Sequence, residues 1–301
     1  MKELNKYDLA ALGEEISPMY NPFEQLNEKA NTDFEAIHNQ VSVNLDADEV
    51  EPPIAISMGK NDYGDNLPFG SYGDISCIVG ESKSRKTFFK TSLIAAYLSG
   101  GTKYMDNITG VDRGTKWVID IDTEQSKYHS QKAFRRVGWM VGSAPVNYLT
   151  ISLRELANKE RLNYIEWLLT ESKYVAEGIG LVSIDGYADL VNDFNSIDEA
   201  TDVISKLMRW STDLNCHITG ILHKNYGTNK PVGHIGSFIL KKAETVAFVE
   251  LSDEDKGITS VHCKYSRNIP FADLSFELQY FKDFDTVLPK NVNFENKIKP
   301  F

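Results

Sequence analysis

Short apolar runs alternate with amphipathic stretches along the chain from about residue 74 onward. Continuous apolar runs of five or six residues predict buried strands, and apolar residues recurring every three or four positions predict helices. The predicted strands are residues 75–80, 117–121, 146–151, 180–185 and 217–222, and the predicted helices are 86–98, 126–137, 158–173 and a stretch after Ser196. Strands that alternate with helices predict a parallel sheet covered on both faces.

The helix after Ser196 has the clearest pattern of the predicted helices. Ser196 followed three places later by Glu199 is a capping-box signature for a helix start. The positions that fall on one face at helical spacing are Ala200, Val203, Ile204, Leu207, Ser211 and Leu214. This spacing predicts one buried face for the helix.

Three further β-runs, residues 244–251, 258–265 and 274–280, follow one another without helical stretches between them. Such runs predict an antiparallel extension of the sheet. The predicted fold class is therefore α/β, with a mostly parallel twisted sheet, helices on both faces and antiparallel C-terminal strands.

The net charge of −11 is concentrated near the N-terminus. Residues 1–66 hold 14 Asp or Glu and 4 Lys or Arg, a balance of −10, whereas residues 67–301 hold 29 and 28, a balance of −1. Residues 1–51 are polar and weakly periodic, which predicts an acidic arm with short helices that docks on a subunit. The near-neutral remainder leaves room for a local basic surface.

Composition narrows the class of protein further. No apolar run approaches the roughly 18 residues that span a bilayer, and the N-terminal residues lack the layout of a signal peptide. Cys77, Cys216 and Cys263 are isolated and odd in number, so we expect reduced cysteines and neither a disulfide framework nor a metal site. A cytoplasmic protein without a membrane partner is expected.

The stretch GESKSRKTFF, residues 80–89, lies between a predicted strand and a predicted helix. It matches the phosphate-binding loop G-x-x-x-x-G-K-[ST], except that Arg85 stands where the second glycine belongs. In such a loop Lys86 would neutralise the β- and γ-phosphates and the Thr87 hydroxyl would ligate Mg²⁺, while backbone N–H groups face the phosphate oxygens. The candidate ATP-binding residues are Gly80, Glu81, Ser82, Lys83, Ser84, Arg85, Lys86, Thr87 and Phe88. An ordinary turn of glycine and lysine is the alternative interpretation.

Two carboxylates follow other predicted strands. Asp185 ends the strand 180–185 at the position of a Mg²⁺ ligand, and a turn-forming pair with Gly186 is the alternative. Glu124 lies just beyond the strand 117–121, at the edge where α/β sheets bind ligands. It is either a general base for an attacking water or an ordinary glutamate at a helix N-terminus.

The order of these motifs resembles the RecA-like ATPases. IDTE (121–124), after the P-loop helix, is similar to the place of their catalytic glutamate, which implies that role for Glu124. LHKN (222–225) resembles the end of their next central strand, and the role of γ-phosphate sensor then falls on His223. The resemblance implies a RecA-like core that uses ATP and Mg²⁺.

Two later segments resemble hexameric replicative helicases. GHIGSFILKKAETVAFVEL (233–251) is similar to their passage from DNA loop to helix to strand. KYSRNIPFADLSFEL (264–278) resembles their late K-x-x-R-N hairpin, which implies that Lys264 and Arg267 reach the nucleotide of a neighbouring subunit. The resemblance is greatest to the RepA-like branch of plasmid, phage and mobile-element ATPases. It places the ATPase domain at residues 52–282 and leaves 283–301 as a C-terminal tail.

The segment from Lys224 to Lys242 is basic, contains three glycines and has no acidic residue. A positive, glycine-containing loop beside a phosphate sensor suits a protein that follows a phosphate backbone. A solvated surface loop is the alternative. The candidate DNA-binding residues are Lys224, Lys230, His234 and Lys241.

The sequence therefore favours an ATP-hydrolysing motor. The expected form is a homo-oligomeric ring, a hexamer by the resemblance, that moves on single-stranded DNA in phage or mobile-element replication. A primase or a replication initiator is an expected further partner. Two alternatives stay open: an ATP-switched regulatory or loader protein that binds a protein partner, and a recombination-type filament.

Overall fold

The computed structural model describes residues 33–48, 50–111, 114–225, 228 and 230–292. Residues 1–32 of the predicted arm and 293–301 of the predicted tail lie outside the described residues. The chain divides into two units, Met1–Val50 and Glu51–Phe301. In the first unit, helix α1 (Phe34–Val41) begins after Asp33, whose carboxylate accepts hydrogen bonds from backbone N–H groups of the first turn.

The second unit contains the other described elements. Its helices are α2 (Lys86–Ser99), α3 (Lys127–Val141), α4 (Asn158–Thr170), α5 (Lys173–Glu177), α6 (Ile197–Asp213) and α7 (Gly233–Lys242). Its strands are β1 (Ile54–Lys60), β2 (Asn66–Ser71), β3 (Ile75–Gly80), β4 (Ile108–Gly110), β5 (Trp117–Asp122), β6 (Tyr148–Ser152), β7 (Ile179–Asp185), β8 (His217–His223), β9 (Thr245–Leu251), β10 (Ile258–Ser266), β11 (Leu274–Phe281) and β12 (Thr286–Asn291).

The main sheet has nine strands in the order β12-β11-β10-β9-β3-β8-β7-β5-β6. The six strands from β9 to β6 in this order are parallel, and β9 to β12 are antiparallel neighbours. The predicted fold class is confirmed, including the antiparallel C-terminal strands. Since β3, β8, β7 and β5 are neighbours and parallel, their carboxyl ends meet at one edge of the sheet.

Alternate residues of the central strands enter two separate apolar cores, as expected for a sheet covered on both faces. Ile78 and Leu181 point into a core that includes residues of α2 and α3. Cys77 and Val182 point into a second core with residues of α4, α6 and α7. The helices therefore lie on both faces, as the alternating pattern predicts.

A three-stranded sheet of order β2-β1-β4, which the sequence pattern did not predict, packs against the α2 side of the main sheet. The carboxylate of Glu244, which is 3% exposed, accepts hydrogen bonds of 2.7 Å from both the backbone N–H and the hydroxyl of Ser71 at the end of β2. Buried His217 contacts the Ser71 carbonyl through Nδ1 and the Ser76 hydroxyl through Nε2. His217 is thus a core residue.

Three predicted boundaries differ from the structure for local reasons. The helix predicted over 158–173 ends at Thr170, and α5 starts after Ser172 as a separate helix. The strand predicted from residue 146 begins at Tyr148, because Asn147 has φ +56°. Helix α3 continues to Val141 and ends at Gly142, which has φ +83°.

The predicted capping box is formed only in part. The Ser196 hydroxyl accepts a hydrogen bond from the backbone N–H of Glu199 at 3.2 Å. The Glu199 carboxylate instead accepts hydrogen bonds from the backbone N–H groups of Asn192 and Asp193, in the segment before the helix. This carboxylate therefore fixes the approach of the chain to α6, and the reciprocal bond to Ser196 is replaced.

Strand β12 lies in the segment that was expected as a C-terminal tail. It pairs with β11 over Phe276–Phe281 and closes one edge of the main sheet. Within the part of the chain that the structure describes, no helix has both the length and the apolar character needed to cross a bilayer.

Candidate nucleotide-binding site

The turn that follows β3 has the backbone of a phosphate-binding loop. Gly80 ends the strand, and a Cβ atom there would lie 2.3 Å from the carbonyl oxygen of Val249 and 2.6 Å from the hydroxyl of Ser84. Lys83 and Arg85 both have left-handed backbones, with φ +65° and +71°. Helix α2 then begins at Lys86, so its first N–H groups face the turn.

Arg85 occupies the glycine position of the motif with a glycine-like backbone conformation. Its guanidinium donates hydrogen bonds to the carbonyl of Gly257 at 2.6 Å, the carbonyl of Lys256 at 3.0 Å and the hydroxyl of Thr259 at 3.0 Å. These acceptors lie in the turn between β9 and β10 and at the start of β10. The side chain therefore points away from the loop and fastens it to the neighbouring hairpin.

The ammonium of Lys86 lies over the loop, where it donates to the carbonyls of Gly80 at 3.0 Å and Glu81 at 2.6 Å. Its Nζ is also 3.3 Å from Nδ1 of His223. Burial lowers the pKa of Lys86 to about 8, and nearby carboxylates, that of Glu124 first, oppose the shift. Such a group is well placed to gain from a bound anion.

The hydroxyl of Thr87 donates a hydrogen bond of 3.1 Å to Oδ2 of Asp185 at the end of β7. Two hard oxygen ligands on adjacent elements fit Mg²⁺, which usually takes one or two protein oxygens together with phosphate oxygens and water. Among the described residues, no group of three His, Cys, Asp or Glu side chains could hold a metal by itself. The pair therefore fits a magnesium ion that arrives with a nucleotide.

Gly186 after Asp185 is required by the space around it. It has φ +117°, and a Cβ atom would lie 2.1 Å from Oγ1 of Thr123 and 2.7 Å from Oδ2 of Asp189. The turn-forming role and the ligand role are therefore compatible, since the glycine lets the chain turn while Asp185 faces Thr87.

Glu124 lies beyond β5, where Asp122 orients its backbone by accepting a hydrogen bond of 3.0 Å from the Glu124 N–H. Its carboxylate contacts Nε2 of His223 at 2.9 Å. Because Nδ1 of His223 accepts from Lys86, Nε2 carries the proton that is donated to Glu124. A continuous chain of polar contacts therefore joins Lys86, His223 and Glu124.

The structure adds a buried ionic cluster that the sequence pattern did not reveal. Lys90 of α2 is fully buried, and its ammonium lies 3.0 Å from Oδ1 of Asp120 and 3.4 Å from Oδ2 of Asp185. The hydroxyl of Tyr148 donates to the other oxygen of Asp120 at 2.8 Å. Burial disfavours the Lys90 ammonium, but the two carboxylates outweigh it and raise the pKa of Lys90. The only sequence signal was a lysine on an otherwise apolar helix.

A cavity of about 400 Å³ joins these groups. Its walls include P-loop residues from Ser82 to Phe88, together with Glu124, Asp185, His223 and Arg136. A larger groove of about 920 Å³ lies along α3 and β6 and is lined by none of the predicted site residues. The chemistry of the walls, more than volume, singles out the smaller cavity as the candidate site.

The four candidate DNA-binding residues have different surroundings. The side chain of Lys224 is 10% exposed, and its ammonium lies 2.9 Å from Glu250 and 3.6 Å from Glu81. The others, Lys230, His234 and Lys241, are exposed. The structure thus places Lys224 in an ion-pair network beside the P-loop and leaves the other three on the surface.

Lys264 and Arg267 lie at the opposite edge of the main sheet from the cavity. Both are exposed, and Arg267 pairs with Asp74 at 3.2 Å, just before the amino end of β3. The P-loop lies at the carboxyl end of the same strand. Since β3 has six residues, the two ends are about 20 Å apart. Lys264 and Arg267 are therefore not brought to the cavity of their own chain.

Comparisons with known proteins give few matches. No protein-family model and no curated protein matches the chain. Among solved structures, it is similar to the ATPase domain of a helicase, with 12% sequence identity and a TM-score of 0.49. That similarity covers 74% of this chain and 86% of the other. The fold class rests on the strand order and register of the chain itself.

Proposed function

We propose that the chain is an ATPase with a RecA-like core, and that it works as a ring-shaped motor on single-stranded DNA. One observation supports the ATPase above all. The side chains of Lys86, Thr87, Asp185, Glu124 and His223 converge on one cavity at the carboxyl edge of the sheet. Each of them comes from a different loop or from the first turn of α2, and each has the chemistry that nucleoside triphosphate hydrolysis needs.

In this proposal the P-loop and the N-terminus of α2 hold the phosphates, and Lys86 turns from the loop carbonyls to the phosphate oxygens. Thr87 and Asp185 hold Mg²⁺, which when bound neutralises charge on the phosphate oxygens. Glu124 accepts a proton from the water that attacks the γ-phosphorus, while the bond to the β–γ bridging oxygen breaks. His223, bonded to both Glu124 and Lys86, would change partners when Lys86 moves.

The proposal gives Lys264 and Arg267 a role in a second copy of the chain. An arginine that reaches a nucleotide from a neighbour can raise hydrolysis by about 10³–10⁵-fold. The position of both residues at the sheet edge opposite the cavity is compatible with action between subunits. Hydrolysis should then depend on assembly, and a hexameric ring is the proposed form.

DNA binding is proposed on the exposed cations Lys230 and Lys241, with His234 beside them. Contacts of this kind to a phosphate backbone weaken as salt rises, because binding releases counterions. Phage or mobile-element replication, with a primase or an initiator as partner, is the proposed setting.

A second candidate function is supported by the ion pairs of Lys224. Its ammonium is shared between Glu250 and Glu81, so one of the four candidate cations is already partnered by protein. A chain with fewer cations for DNA would suit an ATP-switched regulatory or loader protein that binds another protein.

The ATPase proposal is tested by Lys86→Ala and Glu124→Gln, with and without single-stranded DNA. We expect Lys86→Ala to lose nucleotide binding, and Glu124→Gln to keep binding but lose about 10²–10⁴-fold in turnover. Equal turnover in wild type and both variants would contradict the assignment. Stimulation by DNA that disappears in Lys230→Ala with Lys241→Ala supports the motor, and absence of any DNA binding with ATP and Mg²⁺ favours the switch.

Action between subunits is tested by mixing two inactive variants. Protomers with Arg267→Ala keep an intact cavity, and protomers with Glu124→Gln keep the arginine. If Arg267 acts on a neighbour, mixed oligomers contain some complete sites and recover part of the activity. Activity no higher than the sum of the two separate variants would contradict this arrangement.

A further inference from the structure

Arg136, on the buried side of α3, is a charged residue for which the chain supplies no countercharge among the described residues. It is 6% exposed, and its guanidinium lies over the ring of Phe88 with Cζ 3.7 Å from the ring centre. Its Nε and Nη1 atoms are buried and have no hydrogen-bond partner among the described residues. No ion pair of Arg136 occurs within that part of the chain either.

Arg161 shows what a satisfied buried arginine looks like in the same molecule. It is 9% exposed, and it donates to the carbonyls of Leu153 at 3.1 Å and Arg154 at 3.0 Å. Its Nη1 atom also lies 3.9 Å from a carboxylate oxygen of Asp189. Burial alone therefore does not explain the lack of partners at Arg136.

The electrostatic surroundings of Arg136 fit a missing anion. Burial lowers its pKa to about 10, so the guanidinium remains charged near neutral pH. A buried charge without a partner is unfavourable for the fold, and such groups are usually paired with carboxylates, phosphates or metal-bound anions. Guanidinium is also the cation best matched to phosphate, because its planar N–H groups bind two oxygens at once.

The place of Arg136 points to the nucleotide cavity. It is one of the residues that line the cavity of Lys86, Thr87 and Glu124. Phe88, on which it stacks, directly follows Thr87 in the first turn of α2. The stacked ring holds the guanidinium beside the residues that would meet the phosphates.

We infer that Arg136 is a phosphate-binding residue in cis, held on Phe88 to pair with the phosphates of the bound nucleoside triphosphate. The inference rests on the proposed ATPase function. It adds to Lys86 a second cation from the same chain, supplied by α3 from the side of the cavity opposite to the P-loop residues of α2. No motif in the sequence marks this arginine.

The test compares Arg136→Met and Arg136→Gln with Arg135→Met. Arg135 is an exposed arginine on the same helix, so the control makes the same change in net charge. The dissociation constants of fluorescent ATP and ADP are measured with Mg²⁺, together with competition by inorganic tripolyphosphate and by adenosine. Thermal unfolding is followed for each variant without nucleotide.

We expect Arg136→Met and Arg136→Gln to bind ATP about 10–100-fold more weakly than wild type, since a charge-assisted contact is lost. Tripolyphosphate should lose competitive strength by a similar factor, whereas adenosine should not. The midpoint of unfolding without nucleotide should stay the same or rise, because an unpaired buried charge is removed. Arg135→Met should leave the ATP affinity within about threefold of wild type, because an exposed charge contributes little.

A packing role for Arg136 predicts the opposite pattern, with a lower midpoint and an unchanged dissociation constant, and that result would overturn the inference. Failure of both neutral variants to fold would also overturn it. Lys86→Ala separates the two proposals: if it abolishes binding while the Arg136 variants bind like wild type, only this inference fails. If wild type itself binds no triphosphate, both fail.

Discussion

Substitution of Arg85 by alanine and by glycine separates two opposing contributions at the position where the loop departs from its motif. The left-handed backbone of Arg85, at φ +71°, costs a residue with a Cβ atom about 1–2 kcal/mol. The hydrogen bonds from its guanidinium to the carbonyls of Gly257 and Lys256 and the hydroxyl of Thr259 offset that cost. At about 1 kcal/mol each, they contribute about 3 kcal/mol together.

Arg85→Ala removes the hydrogen bonds and keeps the backbone strain, so we expect it to lower the free energy of unfolding by about 3 kcal/mol. Arg85→Gly removes both, so its loss should be about 1–2 kcal/mol smaller. Urea unfolding followed by tryptophan fluorescence measures both differences. Equal stability of the two variants would refute the left-handed backbone at residue 85. An alanine variant as stable as wild type would refute the contribution of the hydrogen bonds.

Lys83 provides a matched control in the same loop. It is exposed, has φ +65°, and its side chain makes no hydrogen bond or ion pair among the described residues. Lys83→Gly should therefore be more stable than Lys83→Ala by about the same 1–2 kcal/mol, and at least as stable as wild type. A difference at residue 85 without one at residue 83 would point to the hairpin contacts and not to the backbone.

Two further predictions concern buried titratable groups. Lys90→Met leaves the Asp120 carboxylate without its cation and should lower the free energy of unfolding by about 3–5 kcal/mol; combining it with Asp120→Asn should recover most of that loss in urea unfolding, and a loss as large as the sum of the two single variants would contradict a coupled pair. Burial lowers the pKa of His217, so between its folded pKa and its unfolded pKa of about 6.5 the unfolded state binds more protons and stability falls with falling pH, by up to about 1.4 kcal/mol per pH unit. His217→Gln should flatten the pH dependence of unfolding between about pH 6.5 and 5, and an unchanged slope would show that His217 is not its source.

The parallel sheet was predictable because its strands are short, continuous apolar runs between amphipathic helices. The same logic placed Asp185 and Glu124 at strand ends, where parallel strands bring side chains together. The small sheet was not predictable in this way. Its strand β2 contains Pro68 and Gly70, residues typical of loops, and Gly70 is needed because a Cβ atom there would lie 2.2 Å from the ring of His217. That requirement comes from a residue almost 150 positions later.

The charged residues around the cavity were the hardest to predict. Lys90 and Arg136 lie on helices, where a lone cation usually marks the solvent side. Their burial depends on Asp120, Asp185 and Phe88, which come from other elements or other turns of the chain. Only the packed structure brings these groups into contact, so helical periodicity could not distinguish them from surface lysines and arginines.

The same limitation applies to Arg267, whose proposed role depends on what lies at the amino edge of the sheet. Its pairing with Asp74 leaves the two side chains 50% and 31% exposed, and a pair so exposed stabilises the fold by no more than about 1 kcal/mol. An exchange of Asp74 for a phosphate of a neighbouring subunit would therefore encounter little resistance. A deeply buried pair such as that of Lys90 could not exchange in this way, because separating it would leave an uncompensated charge in the core. The structure thus contains ion pairs of two kinds: a buried one that fixes Asp185 at the cavity, and an exposed one that leaves Arg267 able to change partners.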